Sequence, residues 1–381
     1  MVSSLLSVDE TVAQSNATPL CFSINNFTFK ANHTIASAYF SAVFSGLGLS
    51  SNLFALVVLA KTFQHTKSRS RSSFLIFLGG LVFTDFMGLL VTGSIVVSFH
   101  ITHFNWRQLD PHCHFCNFMG MSMVFYGLCP LLLGAAMAME RYIGINRPFA
   151  RSTAMTNSRA CSTVAIVWVT AGCISLLPLA GLGNYHLQIP GSWCFLNISS
   201  KPLDMTFSLI FSLVGLLSLA VSFLLNTVSV ITLLRVCCGQ DSGQRRRDYE
   251  VEMMVQLILI MAIASICWCP LLVFIAQTVL SGGELKVRQL LLWLRFATLN
   301  QILDPWVYIL FRRAVLKRVA PNMDWSRGSI ASISTSLRRL TRASLGGTGD
   351  RSENIRTNPD KSRHQETPFP VQNIPASSCS V

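Results

Sequence analysis

Long apolar stretches alternate with short polar segments along most of the chain. Seven of these stretches are long enough to cross the roughly 30 Å hydrocarbon core of a bilayer as helices, which takes about 20 apolar residues. Backbone polar groups have to be satisfied within lipid, so each stretch is expected to be α-helical. The predicted spans are residues 38–62, 73–100, 114–146, 160–182, 205–236, 250–280 and 287–311. The pattern therefore predicts an all-α membrane protein, with a seven-transmembrane helix bundle over residues 38–311.

The segments outside the spans differ in character. Residues 1–37 form a polar N-terminal segment. Over residues 312–320, apolar positions recur at helical spacing beside Arg and Lys, which predicts a short amphipathic helix on the membrane surface. Residues 321–381 are rich in Ser, Thr, Arg and Pro, so this tail is predicted to be disordered. Its Arg-x-Ser/Thr sites are candidates for phosphorylation, which a desensitising partner would read.

Composition supports a membrane protein and argues against other classes. Only 12% of the residues are charged and 51% are hydrophobic, whereas soluble domains carry about 25% charged residues. The net charge of +13 would suit a nucleic-acid partner. However, the basic residues cluster in loops and a tail beside apolar spans, so no nucleic acid is expected. No nucleophile or metal-ligand set is recognisable, so no enzymatic activity, metal or cofactor is predicted.

Charge and glycosylation signals both predict the orientation. Lys and Arg concentrate in the cytoplasmic loops of membrane proteins. Loops 61–71, 141–159 and 235–247 together hold 12 Lys and Arg, whereas the segments on the other side hold 5. All four N-glycosylation sequons fall on that other side, at Asn16, Asn26, Asn32 and Asn197. We therefore predict a multi-pass plasma-membrane protein whose N-terminus is extracellular.

Four of the 12 cysteines are predicted to face the oxidising exterior: Cys21, Cys113, Cys116 and Cys194. Four thiols allow three connectivities. Cys116 begins the third span and Cys194 lies between spans four and five, so a bond between them would hold this loop over the bundle mouth. Cys21 would then tie the N-terminus to Cys113. A Cys113–Cys194 bond is geometrically close and stays open as an alternative.

Polar side chains inside the membrane mark candidate functional positions, because each is costly to bury in lipid. Four of them are predicted at mid-depth of spans one, two and seven: Asn52, Asp85, Asn300 and Asp304. They are predicted to satisfy one another as a switch core, with water or a cation beside the carboxylates. A purely structural hydrogen-bond network is the alternative.

The tripeptide Glu140-Arg141-Tyr142 ends the third span at the predicted cytoplasmic face. An adjacent carboxylate and guanidinium can hold one another, and Arg141 can be released when helices part. The alternative is a set of interfacial charges that only marks the end of the span.

Arg295 is predicted about two turns inside the outer end of the seventh span. No acid occurs in the outer half of any span, so a ligand carboxylate is a candidate partner for its guanidinium. Snorkelling to the headgroups, or a loop partner such as Glu284 or Asp110, is the alternative. The outer part of the third span, residues 118–124, is Met-rich and has no acid, which suits a flexible acyl chain. An acidic lipid is therefore the predicted ligand.

Prolines mark positions where helices can kink. They interrupt the predicted spans three, four, six and seven at Pro130, Pro178, Pro270 and Pro305. In Cys267-Trp268-Cys269-Pro270 a bulky indole precedes the break, which would work as a hinge and plug. A core Trp that merely neighbours a Pro is the alternative.

Several of these residues together form a recognisable set. In chain order the set is Asn52, Asp85, Glu140-Arg141-Tyr142, Trp168, Cys267-Trp268-x-Pro270 and Asp304-Pro305-x-x-Tyr308. This order resembles the signature of class A, rhodopsin-like, G-protein-coupled receptors. Within that class, segments 191–195 (GSWCF) and 295–305 (RFATLNQILDP) resemble the prostanoid receptor family. Segments 72–97 and 250–279 are most similar to the thromboxane-binding members of that family.

The resemblance implies a thromboxane or endoperoxide agonist whose carboxylate meets Arg295. The ligand-binding residues would be Arg295, Thr92, Ser192, Trp193, Leu291 and Trp268. Switching and coupling would use Glu140, Arg141, Tyr142, Asp85, Asn300, Asp304, Pro305 and Tyr308. It also implies disulfides Cys116–Cys194 and Cys21–Cys113, and a receptor kinase and arrestin acting at the tail. Coupling would be to G proteins of the q and twelve/thirteen classes, driving phospholipase C, calcium release and Rho.

Three other functions are alternatives to this interpretation. Within the family, a receptor for prostaglandins of the F or E type is the closest alternative. A transporter or channel is a remote one, since no inverted internal symmetry or pair of broken helices is evident. A retinal photoreceptor would need a Lys in the seventh span for a Schiff base, and none is present.

Overall fold

The structure, a computed structural model, describes residues 20–22, 38–66, 69–146, 156–189, 191–237, 244–283 and 285–310. Of residues 20, 38, 69–70, 233–237, 244–255 and 308–310 it describes only the backbone. Several predictions concern positions outside the described residues: the sequons at Asn16, Asn26 and Asn32, the partner Glu284, the amphipathic helix 312–320 and the tail 321–381.

Seven long helices make up the described bundle. They are α1 (Ala38–Gln64), α2 (Arg69–Gly88 and Ser94–Thr102, joined by a π-helical turn Leu89–Gly93), α3 (His114–Asn146), α4 (Asn157–Leu176), α5 (Pro202–Cys237), α6 (Gln244–Ser281) and α7 (Val287–Leu310). Among the described residues, six of these helices are long and apolar enough to cross a membrane. The remaining helix, α7, is less apolar than the other six because it carries Arg295, Asn300 and Asp304. The predicted spans match these helices to within four residues, except at the start of α6, which begins six residues before the predicted residue 250, and at the end of α4.

The fourth span was predicted to reach residue 182, but α4 ends at Leu176. A proline has no backbone N–H to continue a helical ladder, and Pro178 lies just beyond this end. The chain then turns, with the Leu182 amide donating to the Leu177 carbonyl over 3.0 Å. Gly181 adopts φ +96°, a left-handed conformation that glycine accepts without a Cβ clash. Pro178 therefore follows α4 and does not kink it.

Three short elements were not predicted. They are a 3₁₀ turn (Leu20–Phe22), a one-turn helix (Trp106–Leu109) and an antiparallel hairpin of β1 (Tyr185–Gln188) and β2 (Trp193–Leu196). The hairpin register pairs Tyr185 with Leu196 and Gln188 with Trp193. All four residues of β2 are buried. The hairpin defines one end of the bundle, called here the hairpin end; the opposite end is called the Arg141 end.

The core lies around α3, which packs against α2, α4, α5 and the hairpin. One cluster of buried apolar side chains occupies the hairpin end and includes Phe195, Phe211 and Trp268. A second cluster occupies the Arg141 end and includes Phe77 and Leu257. Large apolar side chains on the outer helix faces are exposed, as expected of helices surrounded by lipid: Leu217, Phe223 and Ile266 are each about two-thirds exposed.

Candidate functional site

Two disulfides organise the hairpin end. One joins Cys116, at the start of α3, to Cys194 in β2, and the other joins Cys21 to Cys113. These are the pairings implied by the family resemblance, and the Cys113–Cys194 alternative does not form. The first bond attaches β2 directly to the central helix of the bundle.

Close packing also seats the hairpin on α3. A Cβ at Gly120 would lie 2.5 Å from Cγ and 2.9 Å from Cβ of Tyr185 in β1, so only a glycine fits here without displacement. The Tyr185 hydroxyl donates to the Ser175 carbonyl at the end of α4, over 2.6 Å. Burial raises the pKa of the Tyr185 phenol, which keeps this hydroxyl protonated as a donor. Burial also lowers the pKa of His186 next to it, which favours the neutral imidazole.

Asp204 joins the hairpin to α5. Its buried carboxylate accepts hydrogen bonds from Asn184 Nδ2 (3.1 Å), Asn197 Nδ2 (2.9 Å) and Ser199 Oγ (2.7 Å). Asn197 and Ser199 are the first and third residues of the predicted sequon. The amide nitrogen that a glycan would modify therefore makes a hydrogen bond within the fold.

A cavity lies beneath the hairpin, between the helices. It encloses about 460 Å³ of non-atom space, a figure that includes space open to solvent. The lining residues come from α2, α3, β2, α5, α6 and α7: Thr92, Met123, Tyr126, Gly127, Phe195, Phe211, Trp268, Leu271, Leu294, Ala297, Thr298 and Gln301. Most are apolar, with the few hydroxyl, amide and indole groups that could orient a ligand.

Of the residues predicted to bind ligand, Thr92 and Trp268 line this cavity. Ser192, Trp193 and Leu291 are buried at the hairpin end but are not among its lining residues. Tyr126, Phe195, Phe211, Thr298 and Gln301 line it and were missed. No local sequence signal distinguishes them, because apolar and hydroxyl side chains on a helix equally suit ordinary packing.

Arg295 lies beside the cavity, on the flank of α7 that faces α1. Its guanidinium donates to Ser41 Oγ over 3.1 Å and lies over the Phe40 ring, 4.9 Å from the ring centroid. Arg295 forms no ion pair with a side chain of the described residues. The suggested partner Asp110 instead accepts from the Cys116 amide over 2.8 Å, at the start of α3.

The four polar residues predicted at mid-depth are all buried, and one hydrogen bond joins two of them. Asn52 donates to the Gln301 carbonyl over 2.8 Å, which links α1 to α7. Asn300 donates to Asp304 over 2.9 Å, within α7. The Asp85 carboxylate interacts electrostatically with Asp304, and neither of its oxygens accepts a hydrogen bond within the described residues. Within the described residues, Asn300 and Asp304 are therefore the members of the predicted cluster that bond each other, and mutual satisfaction of all four stays a prediction.

At the Arg141 end, Arg141 is held by its neighbour in sequence. Its Nε lies 2.6 Å from Glu140 Oε2, and both side chains are buried. Its guanidinium carbon also lies over the Phe74 ring of α2, 5.5 Å from the centroid. Tyr142 is half-buried, Pro305 is buried within α7, and the Tyr308 side chain lies outside the described part. Charges that only mark the end of a span do not need to be buried. The burial of the Glu140–Arg141 pair therefore argues against that alternative.

Comparison with known proteins agrees with these features. Residues 51–308 match the family described as 7 transmembrane receptor (rhodopsin family). The chain is 56% identical over 322 residues to the thromboxane A2 receptor of Bos taurus, which covers 82% of this chain and 94% of that protein. It is 56% identical over 315 residues to the thromboxane A2 receptor of Homo sapiens, covering 80% and 92%. It is 40% identical over 305 residues to the prostaglandin F2-alpha receptor of Homo sapiens, covering 79% and 85%.

The chain belongs to the prostanoid branch of the rhodopsin-like G-protein-coupled receptors. The receptor also shares its fold with squid rhodopsin, at a TM-score of 0.58 and 19% identity over 78% of this chain and 88% of that one. Membership of this family makes it a multi-pass membrane receptor that binds a prostanoid and acts on a G protein, and not an enzyme. The transporter and channel alternatives are therefore wrong.

Proposed function

We propose that this receptor responds to thromboxane A2 or a prostaglandin endoperoxide, with its hairpin end outside the cell. The observation that carries the ligand proposal is the level of identity: 56% to thromboxane A2 receptors against 40% to the prostaglandin F2-alpha receptor, over similar lengths. The predicted excess of Lys and Arg in the loops at the Arg141 end supports the orientation.

The ligand carboxylate is proposed to pair with Arg295. The present neighbours of the guanidinium, a serine hydroxyl and an aromatic ring, leave N–H groups that can form a bidentate pair with a carboxylate. The acyl chain would run past Leu291 towards Trp268, with Thr92 at the cavity wall and Ser192 and Trp193 covering it from the hairpin. An apolar cavity between α3, α5 and α6 suits such a chain.

The experiment compares an acidic thromboxane mimic with its methyl ester on the parent receptor and two variants. Arg295→Gln should weaken binding of the acid by about 10- to 100-fold, the range for one charge-assisted pair, and should leave the ester unchanged. Arg288→Gln, an exposed arginine on the same helix, is the matched control and should behave as the parent. An equal loss of affinity for the acid and the ester would show that Arg295 supports the fold and does not bind the carboxylate.

A receptor for prostaglandin F is the second candidate, since the human prostaglandin F2-alpha receptor is 40% identical. Displacement of a labelled thromboxane mimic by a panel of prostaglandins separates the two. The proposal requires unlabelled thromboxane mimic to displace the labelled mimic at a lower concentration than any prostaglandin does. If a prostaglandin of the F or E type displaces it at a lower concentration, the receptor is assigned to that prostaglandin instead.

Signalling is proposed to pass from the cavity to the Arg141 end. Trp268 lies at the cavity wall two residues before Pro270 in α6, so an agonist that moves the indole can change the bend of this helix. Movement of α6 would release Arg141 from Glu140 and admit a G protein of the q or twelve/thirteen class. A calcium assay in transfected cells tests the first coupling and a Rho assay the second. Residues 312–320 are proposed to form a helix on the membrane surface. The tail 321–381 is proposed to be phosphorylated by a receptor kinase and then bound by arrestin.

A further inference from the structure

Two histidines lie side by side at the hairpin end, where the loop after α2 leads into α3. His112 and His114 flank Cys113 in the chain, and the centroids of their rings are 6.0 Å apart. Both side chains are exposed. Within the described residues, no hydrogen bond or ion pair occupies a ring nitrogen of either histidine. Four ring nitrogens are therefore grouped at one exposed place and are not used by the fold.

The backbone brings the two rings together. The Cys113 amide donates to the Asp110 carbonyl over 3.2 Å, which closes a turn, and α3 begins at the next residue, His114. Cys113 itself adopts φ 62°, a left-handed conformation that is uncommon for a residue with a side chain. Attraction between the rings does not explain their contact, because their planes are inclined by 47° and are neither stacked nor edge-on.

The turn that carries the histidines is fixed on both sides. Disulfides join Cys113 to Cys21 and Cys116 to Cys194. The buried Asp110 carboxylate also accepts a hydrogen bond from the Cys116 amide over 2.8 Å. Side chains placed by a fixed backbone lose little freedom when they bind a common ligand, so a site made from them is largely formed in advance.

The separation of the rings fits one shared metal ion. An imidazole nitrogen binds Zn²⁺ at about 2.0–2.1 Å, which puts the ion about 3 Å from the ring centre. The centres of two rings that share an ion are therefore roughly 5–6 Å apart, depending on the angle between the two bonds. The observed 6.0 Å is at the upper end of this range. Because both side chains are exposed, they can rotate to direct one nitrogen each at the ion.

We propose that His112 and His114 together bind a divalent transition-metal ion, Zn²⁺ or Cu²⁺. Imidazole is a preferred ligand of these ions, whereas Mg²⁺ and Ca²⁺ prefer oxygen. Among the described residues no third histidine, cysteine or acid joins the pair in a metal-binding group, so water completes the coordination. The positive N-terminal end of α3 weakens a site for a cation, and the negative charge of Asp110, two residues before His112, offsets this effect.

A metal ion held by both rings would join the end of the loop to the first turn of α3. An ion that binds the folded receptor and not the unfolded chain stabilises the folded state. The site lies outside the cell in the proposed orientation, where free metal ions of the medium reach it. It requires no particular prostanoid and no G protein, so its failure would leave the proposed function unaffected.

The test follows the thermal midpoint of the purified, antagonist-bound receptor as Zn²⁺ is added. The parent should show a saturable rise of several degrees, and Mg²⁺ at the same concentrations should give none. His112→Ala and His114→Ala should each weaken the apparent Zn²⁺ affinity by about tenfold or more, because one imidazole alone loses the advantage of a second ligand held beside it. His65→Ala, which removes an exposed histidine at the Arg141 end, is the matched control and should behave as the parent.

Two further measurements show whether the rings act as one site. The double variant His112→Ala/His114→Ala should lose little more Zn²⁺ affinity than either single variant, because the loss of one ring already opens the site. With one equivalent of Cu²⁺, the electron paramagnetic resonance spectrum of the parent should show coupling to two ring nitrogens, and each single variant should lose this two-nitrogen signal. The spectrum of the parent needs no variant to fold.

Three outcomes would overturn the inference: a Zn²⁺ affinity of the double variant equal to that of the parent, a Cu²⁺ spectrum of the parent without two ring nitrogens, or an equal rise of the midpoint with Mg²⁺. Each would mean that the ions bind elsewhere or without selectivity. Should an alanine variant reach the surface poorly, His112→Gln and His114→Gln repeat the comparison with a polar side chain in place, and the same loss of affinity is required of them.

Discussion

Asp204 shows how one buried carboxylate can fix a loop. It collects donors from Asn184, Asn197 and Ser199, which bracket the hairpin, and it belongs to the first turn of α5. A carboxylate accepts through both oxygens, and a position near a helix N-terminus favours its negative charge. The hairpin is therefore attached to α5 by charge-assisted hydrogen bonds and to α3 by a disulfide.

Replacement of Asp204 tests this attachment. Asp204→Asn keeps the shape but directs an amide nitrogen at the donors, leaving a buried group unpaired at a cost of about 1–3 kcal/mol. The thermal midpoint of the purified, antagonist-bound receptor should fall by several degrees. Asn184→Ala removes only one donor and should cost less. An unchanged midpoint in Asp204→Asn would contradict a stabilising role for this cluster.

Arg295 shows which properties of a residue can be predicted from the sequence and which depend on its neighbours in space. Its isolation from acids within the spans was predictable, because the charged residues of the spans are few enough to inspect one by one. The contacts with Ser41 and Phe40 were not, because they lie 254 and 255 positions away along the chain (295 − 41 and 295 − 40) and depend on the rotation of α7 about its axis.

At the scale of elements, the hairpin and α3 are fitted to one another. Strand β1 approaches the helix where Gly120 has no side chain, and the backbone-proximal atoms of Tyr185 occupy the space that a Cβ would need. These atoms cannot swing aside as the end of a flexible side chain can. Interiors packed at this density tolerate added methyl groups poorly.

Gly120→Ala should therefore displace the hairpin from α3. We expect a loss of about 1–3 kcal/mol of stability and weaker binding of antagonist, since β2 contributes Phe195 to the cavity wall. Gly79→Ala on α2 is the matched control, because its Cβ would meet nothing within 4 Å, and it should be neutral or slightly stabilising. Similar losses of stability in both variants would show that the close contact between Gly120 and Tyr185 does not cause the loss.

The lengths of the helices were predictable from apolar runs, and their irregularities were not. The end of α4 before Pro178 and the π-helical turn in α2 depend on local hydrogen bonds that an apolar pattern does not record. The hairpin was missed for a related reason. Its eight strand residues lack a clean alternation of apolar and polar positions, since β2 is buried on both faces.

At the scale of the whole molecule, orientation is open to direct test. We expect an N-terminal epitope tag to be detected on intact cells and a C-terminal tag only after permeabilisation. Combined replacement of Asn16, Asn26, Asn32 and Asn197 by Gln should increase mobility on a gel as much as enzymatic removal of N-glycans does. The share of Asn197 is measured with Asn197→Gln alone, because its amide nitrogen also donates to Asp204 in the fold. A surface signal from the C-terminal tag would reverse the orientation.

By itself, the sequence determined the fold class, the number and order of the helices, and the membership of the prostanoid branch. Spans of this length in lipid permit few alternatives to a helix, and ordered motifs are specific even without coordinates. Only the tertiary structure decided which faces meet: the walls of the cavity and the turn of Arg295 towards α1. Such contacts join residues far apart in the chain, and their geometry is set by helix rotation and register, which no local pattern encodes.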